Sequence, residues 1–67
     1  MADDMFTAQV LAEDLARISS SLACECVEIR HTQSGVYVES AKLDIKKMRD
    51  VLNQIEGIIE DEDESNV

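Results

Sequence analysis

Four groups of side chains in this chain are of types that do chemistry. Cys24-Glu25-Cys26 places two thiols two residues apart. On an extended strand they share a side, the arrangement of half a thiolate metal site or a redox pair. A tetrahedral zinc site needs four ligands, and His31 is the one histidine available; strand parity sets it on the opposite face from the cysteines. The two thiols therefore read as small apolar groups. His31 has the right pKa range for a base, but no serine or cysteine stands in a nucleophile arrangement with it, and it reads as a partly exposed packing residue.

Glu25, Glu28 and Glu39 are a third group, since paired carboxylates serve as acid and base in hydrolysis. A chain of 67 residues has little volume to enclose a substrate, so surface carboxylates are the expected reading. The run Glu60, Asp61, Glu62, Asp63 and Glu64 is the fourth group, dense enough to occupy a basic groove or to act as a solvating brush. No GxGxxG, GxxxxGK[ST] or HExxH pattern occurs, and no cofactor is expected. The sequence predicts a protein that is not an enzyme and acts by contact.

Charge narrows the contact. Fifteen acids oppose six bases for a net of −9; without the five acids of 60–64 the remainder holds ten against six, a net of −4. Such a field disfavours direct binding to nucleic acid or an anionic membrane and favours a protein partner with a basic surface. Lys42, Lys46, Lys47 and Arg49 are the exception, a basic group that either docks an acidic partner or is neutralised by the chain's own acids. No stretch has a signal-peptide pattern and no apolar run approaches the ~20 residues of a membrane span, so a cytoplasmic location is expected.

The elements that must position these groups begin with residues 43–59, where Ile45, Met48, Leu52, Ile55 and Ile59 recur at gaps of three and four. Val51 and Ile58 widen the stripe, as for a helix buried against something broad. A second amphipathic helix is expected from about Met5 to Ser21, carried by Ala8, Leu11, Leu15, Ile18 and Leu22. Asp3 or Asp4 would cap it, and Ser19-Ser20-Ser21 would end it.

Between them Val27, Ile29, Val36, Tyr37 and Val38 carry β-branched and aromatic content around Thr32-Gln33-Ser34-Gly35, which reads as a β-hairpin turn with the glycine at positive φ. A two-residue loop at Ser34-Gly35 pairs Arg30 with Glu39. It puts Val27, Ile29, Val36 and Val38 on one face and Glu28, Arg30, Tyr37 and Glu39 on the other. Ser40 or Asp44 would cap the second helix, Gly57 would mark a close backbone contact or fraying, and the tail from Glu60 would be disordered.

The expected fold is thus α+β: one α-β-β-α domain over residues 1–59 with both helices on one face of the hairpin, followed by a disordered acidic tail, 60–67. Two functions fit it. In the first, a small acidic inhibitor presents Glu25, Glu28, Glu39 and the acids 60–64, with Tyr37 as aromatic anchor, to a basic surface built for nucleic acid. Tiny acidic inhibitors of phages and mobile elements, anti-CRISPR proteins among them, are the class analogy, and no motif here carries it further. In the second, a homodimeric assembly or chaperone-like subunit uses its apolar helix seam and free strand edges.

Overall fold

The computed structural model describes residues 3–65, and it is helical throughout except for one tight connection. Helix α1 spans Asp3–Thr32 and helix α2 spans Gly35–Ser65, folded back on each other as an antiparallel hairpin. The molecule is a rod of 52 × 14 × 12 Å. The expected α+β fold is overturned: among the described residues there is no strand, so neither a β-hairpin nor a sheet face for the helices to share.

The reason lies in one continuous seam. On α1, Ala8, Leu11, Leu15, Ile18, Leu22, Glu25 and Ile29 are among the less exposed positions, at strict alternation of three and four. That spacing keeps one side of a helix facing one partner. The matching positions on α2 are Val38, Ala41, Asp44, Met48, Val51, Ile55 and Ile58. Continuing the seam through Ile29 and Val38 buries more apolar surface than a two-stranded ribbon would, and it outweighs the strand propensity of Val27, Val36 and Tyr37. Val27 and Val36 are left in solvent. The serines expected to end α1 lie on its exposed side, and their propensity cost of a few tenths of a kcal/mol each is too small to stop it.

The connection that resembled a strand turn is a pair of helix caps. Gln33 takes the left-handed conformation, φ 54°, that commonly closes a helix, and its N–H donates to the Ile29 carbonyl at 2.8 Å. The Thr32 hydroxyl donates to the Glu28 carbonyl at 2.8 Å and accepts from the Ser34 N–H at 3.2 Å. Ser34 is the N-cap of α2: its hydroxyl accepts the Val36 N–H at 3.3 Å and its carbonyl accepts the Val38 N–H at 3.3 Å.

The cap is therefore neither Ser40 nor Asp44, and Gly35 is an ordinary helical residue without positive φ. Arg30 and Glu39 are not a cross-strand pair; Glu39 accepts from Lys42 at 3.4 Å one turn along α2. The acidic run continues α2 as helix to Ser65, against the expected disorder from Glu60. Gly57 lies inside that helix, and a Cβ placed on it would meet nothing within 4 Å. Residues 66 and 67 lie outside the described part.

Candidate interaction surface

Two helices cannot enclose a core. Ala8, 4% exposed, and Ala41, 8%, are the buried apolar residues, and no large side chain among the described residues is fully buried. The accessible surface is 5192 Å². A compact monomer of 7.5 kDa exposes about 4,250 Å² by the usual mass scaling, leaving an excess of roughly 900 Å². The excess is what a rod of these proportions exposes beyond a compact shape.

Single apolar side chains, Val27, Val36 and Leu43, are exposed on the outer faces of the helices, and the two flanks beside the seam differ from each other. Beside the seam, each helix carries two flanking columns of residues seven apart. On one side of the hairpin the columns are Met5, Ala12, Ser19 and Cys26 from α1, and Ile45, Leu52 and Ile59 from α2. A shallow groove lined by Met5, Phe6, Ala8 and Ala12 together with Ile55 and Ile59 shows that these columns share a side. Ile45, Leu52 and Ile59 are 39%, 49% and 51% exposed.

On the other side stand Thr7, Asp14, Ser21 and Glu28 against Ser40, Lys47, Gln54 and Asp61, all polar. The hairpin has one apolar flank and one wet flank. The sequence stripe Ile45, Met48, Leu52, Ile55 and Ile59 thus divides: Met48 and Ile55 face α1 together with Val51 and Ile58, whereas Ile45, Leu52 and Ile59 look outward.

One polar pair interrupts the seam. Glu25 and Asp44 approach each other between the helices, and one oxygen of each, Glu25 Oε1 and Asp44 Oδ2, is out of solvent without a hydrogen-bond donor. Two carboxylates share a hydrogen bond only when one of them holds a proton. That bond to Asp44 is the main reason the Glu25 pKa is raised above its ordinary value. Desolvation and repulsion by Asp44 add to it, and attraction by Lys47 opposes them.

The residues expected to form one acidic face are dispersed. Glu25 is in the seam, Glu28 is exposed on the wet flank, and Glu39 is exposed on the outer side of α2. Tyr37 stands in the first turns of α2, in the same column as Asp44. Glu60, Asp61, Glu62 and Asp63 are exposed around the last turns of α2, which also hold the backbone of Glu64; the Glu64 side chain is outside the described part. Cys24 and Cys26 are both exposed and, being two residues apart on a helix, point about 160° apart rather than sharing a side. No group of metal-ligating residues gathers among the described residues. No helix there is long and apolar enough to cross a membrane.

The interaction surface that sequence reasoning missed is the column Ile45, Leu52 and Ile59 as distinct from the seam. Its signal was present in the width of the stripe, which exceeds what one partner helix covers. Comparison of the chain with family models, curated proteins and solved structures found no match.

Proposed function

We propose that this chain is a non-enzymatic assembly subunit that buries its apolar flank against another helical surface. The observation that carries this reading is the asymmetry of the two flanks. A lone hairpin has no reason to line one side with Ile45, Leu52 and Ile59 and the other with Lys47, Gln54 and Asp61 unless one of them is covered. The alternative, an acidic inhibitor acting on a basic groove, is less well served, because Glu25 is turned inward, Glu28 shares the wet flank with Asp61 only from the opposite end of the rod, and Glu39 stands on the outer side of α2 three sevens away from Glu60. Exposed free thiols at Cys24 and Cys26 fit a reducing, cytoplasmic setting.

The test is affinity capture from the native host with three baits: the wild-type chain, Leu52→Asp on the apolar flank and Gln54→Asp on the wet flank. A partner, itself included, that is retained at high salt by wild type and Gln54→Asp but lost with Leu52→Asp supports the reading. A partner held only at low salt and indifferent to Leu52→Asp supports the acidic inhibitor instead.

A further inference from the structure

The outer surface of α2 is complementary to itself when reversed. Beside the exposed column of Ile45, Leu52 and Ile59 runs a second column, Lys42, Arg49, Glu56 and Asp63, with two cations followed by two anions. Beyond it lies a third, Glu39, Lys46, Asn53 and Glu60, whose last three members repeat the order of cation, neutral residue and anion. All these side chains are exposed.

Resting on the assembly reading above, we infer that a second copy of the chain seats antiparallel along this face, with the two-fold axis beside Leu52. Antiparallel pairing about that point sets Leu52 against its own counterpart and Ile45 against Ile59. The same register brings Arg49 and Lys42 within one residue of level with Glu56 and Asp63 of the second copy, and Lys46 within two of Glu60, offsets of about 1.5 to 3 Å that long side chains span, each pair occurring twice by symmetry.

The charges cannot find these partners within one chain. At 1.5 Å of rise per residue, Lys46 and Glu60 are about 21 Å apart on a continuous helix, and Arg49 and Glu56 about 10 Å. Among the described residues Lys46 and Arg49 make no ion pair of their own, and Lys42 has the exposed contact with Glu39. On α1 the same side of the hairpin carries Ala12, Ala16, Ser19 and Ala23, which add little bulk to hold a second hairpin away.

Sedimentation equilibrium of the full chain tests this with charge reversal in trans. Wild type is expected to be a dimer at tens of micromolar. Arg49→Glu and Glu56→Arg, each alone, place like charges opposite one another twice and weaken self-association roughly tenfold or more. An equimolar mixture of the two variants restores both contacts in a heterodimer, as does the double variant Arg49→Glu/Glu56→Arg, which also verifies that the substitutions leave the fold intact. Circular dichroism of each variant accompanies the mass.

A monomeric wild type overturns the dimer. So does a dimer that neither single reversal weakens, or two weakened variants that fail to rescue each other. The assembly reading fails separately: if wild type is monomeric but Leu52→Asp still releases a different captured protein, the flank has another occupant and only the dimer is lost.

Discussion

Glu25 and Asp44 meet across the seam of the hairpin, each with one oxygen withdrawn from water and no donor to satisfy it. The other seam positions, Ala8 to Ile29 on α1 and Val38 to Ile58 on α2, are apolar. The pair stabilises the hairpin only when one proton is shared. Because the folded-state pKa of Glu25 is raised, the protonated form favours folding: its contribution is complete below the unfolded glutamate pKa of about 4.3 and is lost as pH rises through the raised folded value.

Replacing Glu25 by Gln supplies a permanent donor to Asp44 and removes the repulsion, at the loss of the attraction from Lys47. Thermal unfolding followed by circular dichroism is expected to show Glu25→Gln more stable than wild type at pH 7. The difference shrinks toward zero near pH 4. A variant less stable than wild type at pH 7 would show that Lys47 outweighs Asp44.

Ser34 carries the start of α2. Removing its hydroxyl in Ser34→Ala leaves the Val36 N–H without its partner and is expected to cost about 1 kcal/mol in urea unfolding. Ser34→Gly should cost only a few tenths of a kcal/mol, since glycine is tolerated at an N-cap. Equal losses in the two variants would mean that the hydroxyl does not cap the helix.

Gly57 sits inside α2 with open space around the position of a side chain. Gly57→Ala is expected to raise stability by up to about 1 kcal/mol, with a gain of helical signal. It lies away from the column of Leu52, so self-association should be unchanged. A loss of association would place another chain's backbone against Gly57.

The two outer thirds of the fold were legible in the sequence, and the middle was not. The stripes of residues 5–21 and 43–59 are uninterrupted and lie in α1 and α2. The failure between them has a local cause. Glu25 occupies a seam position after Leu22, and Asp44 occupies one after Ala41, so the helical period is broken on both helices at facing places. With the period hidden, the β-branched residues Val27, Ile29, Val36 and Val38 dominated the reading. Local propensity is a weak term against a seam that runs the length of two helices.

The turn at Ser34-Gly35 was recognised as a reversal of the chain, but its residue types suit a helix cap as well as a strand turn, and only the flanking periodicity distinguishes them. The candidate site suffered the same error. Assigning Glu28, Tyr37 and Glu39 to one face depended on strand parity, Glu25 joined them only as a surface carboxylate, and helical geometry scatters all four. The outward column of Ile45, Leu52 and Ile59 was seen as part of the stripe; its separation from the inward positions required knowing which side α1 covers.

The most direct test of the central claim, that the hairpin is an open half closed by a second copy on its apolar flank, is the thermal midpoint of the full chain measured over a hundredfold range of concentration. The expected result is a midpoint that climbs by several degrees with concentration in wild type, as mass action requires of a dimer, and stays lower and flat in Leu52→Asp. A midpoint independent of concentration in wild type, with Leu52→Asp unfolding at the same temperature, would contradict it.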